Sequence, residues 1–175
     1  MTATAINPNI DNVVRKLIKV LLEEITAYNH LLESLNNKQQ AIMSGEIELI
    51  NNAVEDEQRI LHITKQIDMQ RKYALNDVQI EMDQDSDFQT LDQLIELVEY
   101  RYRDRLMEIK ESLQNIIKKV TVLNDQNKVL LEHSIDFVKG MVKEFLHFAE
   151  ESKSTYTPTG KNNEVDFRNL LDRRI

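Results

Sequence analysis

Two constellations in this chain have residue types and spacing that could do chemistry. Glu144-Phe-Leu-His147 has the Glu-x-x-His spacing that sets a carboxylate and an imidazole one turn apart on a helix face, as in di-iron helical bundles. Such a centre needs a second copy of the pair and two further inward carboxylates. His30, His62 and His133 have no glutamate three residues before them, so His147 reads as an ordinary helix residue. Asp83-Gln-Asp-Ser-Asp87 imitates the start of a calcium loop. Phe88, however, stands where that loop needs its glycine, and Leu94 where it needs a bidentate glutamate. The acidic stretch reads instead as a solvated turn.

Other chemistry is equally unsupported. The chain has no cysteine, hence no disulfide, thiolate nucleophile or cysteine-based metal site. No Gly-rich phosphate loop is present, and the serines lack a recognisable nucleophile motif. No cofactor or metal is expected, and the chain reads as a binding protein rather than an enzyme. Its net charge of -8 repels polyphosphate backbones, so nucleic acid is not an expected partner. Met1 to Asn9 lack the basic start and apolar core of a secretion signal, and no apolar run approaches the roughly 18 residues that span a bilayer. A cytoplasmic location without membrane insertion follows as the expectation.

The elements that must carry any site are helices. Aliphatic residues supply most of the 41% hydrophobic share and aromatics only 6%, which favours long amphipathic seams. Between Asn9 and Lys139 only Gly45 breaks the chain. Asn7 as N-cap and Pro8 at the first helical position start a helix that should end near Gly45. Its seam runs Val14, Ile18, Leu21, Ile25, Tyr28, Leu32, Leu35, Gln39, Ile42, at alternating steps of four and three.

A second helix runs from about Glu46 to the late seventies, with Glu57 and Arg71 intruding on its seam. They lie too far apart on that helix to meet, so each is expected to find a polar group on a neighbour. Ser86 with Gln89 has the form of a capping box for a third helix. Its seam passes from Phe88 through Val98, Tyr102, Leu106 and Leu123 to Phe148. Four-residue steps at Val98–Tyr102–Leu106 and Phe137–Met141–Phe145 should unwind a supercoil locally, and Asn124 to Asn127 is a further candidate bend. Asn127, at a seam position, is read first as a buried amide that sets register.

The fold class is therefore all-α: an elongated, coiled-coil-like antiparallel bundle of three long helices. Residues 1–152 form the bundle and 153–175 a mobile tail, with a short amphipathic piece around Phe167, Leu170 and Leu171. At 1.5 Å per residue the first two helices are each roughly 50 Å long and the third about 90–95 Å. Half of the third helix would then lack a neighbour over Leu130 to Phe148. Three solutions are open: the helix breaks near Asn124 to Asn127 and folds back, the protein self-associates, or the seam receives a partner's helix.

The residues also resemble a family. Leu21-Leu22-Glu23-Glu24 with Tyr28, Leu31, Leu32 and Leu35 comes first, followed by Lys38-Gln39-Gln40-Ala41-Ile42, Gly45-Glu46, Glu57 with Leu61, and Arg71. Leu123-Asn-Asp-Gln-Asn127, Leu130-Leu131, Ile135-Asp-Phe137 and the tail residues Thr155-Tyr156 and Gly160 complete the pattern. In order, spacing and length this resembles the FlgN-like flagellar export chaperones. The acidic Glu81 to Asp87 connection and the Arg173-Arg174 ending depart from that pattern.

The resemblance implies a chaperone that binds the C-terminal helical segments of hook–filament junction proteins and holds them for type III export, with export-apparatus components as further partners. The client contacts it implies are Leu130, Leu131, Phe137, Val138, Met141, Phe145 and Phe148, with Asn127 and Tyr156 as lesser ones. The rival readings are a structural coiled coil that self-associates through its third helix and a ferritin-like metalloenzyme.

Overall fold

Gly45 sets the first turn. In the computed structural model, which describes residues 8–82, 88 and 90–154, α1 (Pro8–Ser44) is followed by Gly45 at φ 72°. That left-handed backbone costs other residues about 1–2 kcal/mol and glycine almost nothing. Gly45 N–H donates to Ile42 C=O at 3.2 Å, and α2 (Ile47–Glu81) begins two residues later. Both boundaries match the sequence reading. Asn7, the expected N-cap, lies outside the described residues.

Ion pairs show how α1 and α2 run. Lys16 meets Asp77 at 2.7 Å, Glu24 meets Arg71 at 3.3 Å and Lys38 meets Glu57 at 2.5 Å, so partners retreat along α2 as α1 advances. The helices are antiparallel. The anticipated interhelical partners of Glu57 and Arg71 are thus Lys38 and Glu24.

The third segment differs from the expected continuous helix. A short helix α3 (Leu91–Leu97) is separated from the long α4 (Tyr100–Ser154) by Val98 and Glu99. Val98 is extended, at φ -72° and ψ 158°, and is almost fully buried. The Arg103 guanidinium donates to the carbonyls of Val98, at 3.0 Å, and Glu96, at 2.9 Å, satisfying acceptors that the break releases. The four-residue step at Val98–Tyr102–Leu106 had suggested only local unwinding, because no glycine or proline marks the place. The capping box is also displaced. Thr90 and Gln93 form it reciprocally, whereas Ser86 and Gln89 lie outside the described residues. Through Asn124 to Asn127, α4 is uninterrupted, so the helix does not break and fold back there.

The described residues form four helices and no strand, an all-α chain with α3 added to the three long helices foreseen. The chain divides into two compact units, Met1–Glu132 and His133–Ile175. In the first, Tyr102 OH donates to Asp11, Arg101 meets the same carboxylate at 2.8 Å, and Asn127 Nδ2 donates to Leu35 C=O at 2.7 Å. Here the partners advance together, so α4 runs parallel to α1 while α2 runs antiparallel. The core gathers Val14, Leu17 and Leu21 of α1, Ala74 and Val78 of α2, Phe88, Leu94 and Ile95, and Leu106, Ile109 and Leu113 of α4. A smaller cluster forms around Leu31, Leu35 and Leu123.

The second unit contains the remainder of α4. The expected boundary at 152/153 falls just before the end of that helix, and the tail from 155 lies outside the described residues. No described helix is long and apolar enough to cross a membrane.

Candidate functional site

Polar groups inside the first unit come together, but in a structural arrangement. Glu24 is 2% exposed and meets Arg71, whose guanidinium also meets Asp68 at 2.6 Å. Burial raises the Glu24 carboxyl above its ordinary range, and Arg71 opposes that rise. Burial likewise raises the neighbouring Tyr28 hydroxyl, with the Glu24 charge acting in the same direction. Asp68 is held below the ordinary range, chiefly by its hydrogen bond from Lys72. These groups tie α1 to α2 through a buried charge pair that is costly to break. The seam drawn from sequence missed Glu24 and Ser34, both buried, because it followed the row one residue away.

Asn127 belongs to the same class. It is 1% exposed, and its amide N–H reaches the Leu35 carbonyl, which joins α4 to α1. The register role is the one this geometry supports. As a lesser client contact it is corrected, since a buried amide offers no accessible surface.

Seven of the other expected contacts lie on α4, and all but Leu130 of these are exposed. Leu130 is half-buried and Leu131 37% exposed, at the end of the first unit. In the second unit Phe137 is 69%, Val138 56%, Met141 57%, Phe145 74% and Phe148 67% exposed. By the 3.6-residue period these five share one side of the helix, and His147 falls on the opposite side. Ile135 and Val142, also exposed, stand on the same side and were missed as contacts. Their signal was available, since each directly follows a seam position, Ser134 or Met141. Tyr156 lies outside the described residues.

The chemistry this face offers is apolar contact. Large exposed apolar side chains are normal when scattered singly, but a contiguous set marks a place where something docks. Among the described residues no group of three or more His, Asp or Glu side chains is placed to hold a metal ion.

Comparison with known proteins bears on what the face is for. No curated protein and no solved structure matches the chain. A family model described as FlgN protein matches residues 13–164, which takes in α2, α3 and α4 and all but the first five residues of α1. The chain therefore belongs to the FlgN family, the flagellar export chaperones that its helical seams and paired polar residues resemble.

Proposed function

We propose that this protein is a cytoplasmic export chaperone whose α4 face binds the C-terminal helical segments of hook–filament junction proteins and holds them for type III export. The observation that carries the reading is the open apolar side of residues 137–148, with three phenylalanines each more than 60% exposed. Such clients assemble through terminal helices. An amphipathic chaperone helix can cover the same apolar surface beforehand, by a recognition mode that lays one apolar helical face against another. Leu130, Leu131, Phe137, Val138, Met141, Phe145 and Phe148 act as apolar anchors. Met141 adds an unbranched side chain that adapts to different partners. Binding is reversible, without cofactor or turnover.

The test is co-expression with the C-terminal segments of junction proteins, comparing the intact chain with Phe145→Asp and Phe148→Asp. The intact chain should co-purify with a client and the variants should not, with helicity unchanged because both positions are exposed. Equal co-purification by all three would remove the face from the function. Sedimentation of the purified chain should give a monomer. A dimer abolished by Phe145→Asp would favour a self-associating coiled coil instead.

A further inference from the structure

The exposed part of α4 carries two apolar rows. Ser134, Phe137, Met141, Phe145 and Phe148 continue the seam that passes Leu106 and Leu123, and Ile135, Val138, Val142, Leu146 and Ala149 repeat its spacing one residue later. At 3.6 residues per turn the two rows lie side by side and make a face about 180° wide, against about 100° for an ordinary core-facing stripe. Ile135 and Val142 are each 44% exposed, so the second row is open as well as the first.

The first unit shows what each pattern accompanies. Between Tyr102 and Asn127, α4 buries one row, including Leu106, Ile109, Leu113 and Leu123. The positions one residue later are Met107, Lys110, Gln114 and Asn124, none fully buried. By contrast α1 has α2 and α4 as neighbours and buries two rows one residue apart. Val14, Leu21, Leu35 and Ile42 belong to one, and Leu17, Val20, Leu31 and Ala41 to the other. Where α1 buries two adjacent rows, it packs against two long helices, α2 and α4.

Resting on the client-binding reading above, we propose that the occupant of the α4 face is a pair of amphipathic helices from one client chain, packed side by side so that α4 becomes the third helix of a mixed bundle. The aromatic row takes one helix and the aliphatic row the other. With about 150–250 Å² on each aromatic side chain, the open face amounts to on the order of 800 Å², the share one partner contributes to a stable specific complex. A single helix seated in one row covers about half of that face, by the stripe widths above. A second copy of this chain matches the face less well. One α4 against another covers one row, and antiparallel pairing centred on Met141 sets Lys139 of one copy against Lys143 of the other.

The experiment uses the absence of cysteine, which makes an introduced thiol unique. Met141→Cys and Val142→Cys report on the two rows at the same depth of the helix. Maleimide labelling of each full-length variant is timed alone and with a purified junction protein that retains its C-terminal helical segments and has its own thiols blocked. At a client concentration about ten times the Kd, both thiols should react about tenfold more slowly, because only the free fraction reacts.

Protection of Met141→Cys alone would mean a single helix, overturning the two-helix occupant while leaving the proposed function standing. Binding without protection of either thiol would place the client elsewhere and sink both. Absence of binding by the intact chain would sink the function and the inference with it. Slow labelling of the isolated chain, with doubled molar mass, would make a second copy the occupant and overturn the proposal. Phe137→Cys and Ile135→Cys provide a second reporter pair if either first variant weakens binding.

Discussion

Leu106 and Phe145 occupy the same seam of the same helix, yet Leu106 is 0% exposed and Phe145 74%. Nothing in the local pattern separates them, since both sit among apolar residues spaced three and four apart. Leu106 belongs to a cluster shared with α1, α2 and α3, and Phe145 belongs to neither of the buried clusters of the fold. Amphipathic periodicity states that a helix face is to be covered. Whether the cover comes from the same chain depends on residues far away in sequence. On the proposed function the uncovered stretch is the useful one, because a client must find its surface available in the folded protein.

The sharpest way to break this comparison is to truncate both residues. Leu106→Ala should lower stability in denaturant unfolding by about 3–4 kcal/mol through lost burial and a residual cavity. Phe145→Ala should change it by no more than about 0.5 kcal/mol, as an exposed position does, while weakening client binding. Equal losses of stability would mean that the α4 face is covered within the chain, and the contrast would collapse.

A second test concerns the charge pair that binds α1 to α2. Arg71→Leu leaves the Glu24 carboxylate buried without its cation. It should cost about 2–3 kcal/mol at neutral pH, less than the 3–5 kcal/mol of a fully buried pair because Arg71 keeps some contact with solvent. The Glu24 carboxyl is raised above 4.5 in the folded chain, so the stability it contributes is present below that value and lost as pH rises through the folded pKa. Without Arg71 the rise grows, since the opposing charge is gone. The stability gap between the intact chain and the variant should therefore narrow as pH falls from 7 toward 4.5. A gap constant over that range would show that Glu24 is not the group responsible. Client binding at residues 137–148 should be unchanged at pH 7.

The smallest expected effect is at Asn127. Asn127→Ala removes the hydrogen bond to the Leu35 carbonyl and should cost about 1–2 kcal/mol, again without changing client affinity measured by titration. A selective loss of affinity with stability intact would return Asn127 to the binding face.

Much of the architecture was legible in the residues. Gly45 and Pro8 bracket α1, the seams identify the long helices, and the length mismatch set three solutions for the far half of the third helix, of which the fold-back near Asn124 to Asn127 does not occur. By the 1.5 Å rise, α1 and α2 are about 55 and 53 Å long and α4 about 83 Å. The break at Val98 was not legible, because an extended valine between two helices carries no glycine or proline and is held by Arg103 donating back to the carbonyls of Val98 and Glu96. The second row on α4 was missed for another reason. A seam traced at three-four spacing follows one neighbour, and Ile135 and Val142 belong to the place of a second.

By itself, then, the sequence determined the helical class, the first turn and the apolar rows. These depend on local spacing and on the conformational freedom of single residues, such as Gly45. Only the tertiary structure decided that α4 runs parallel to α1, that Glu24 meets Arg71, that Asn127 is enclosed while Phe145 is open, and that the third segment breaks at Val98. All but the last depend on side chains tens of residues apart meeting in three dimensions, and the 3.6-residue period contains no record of which elements will meet.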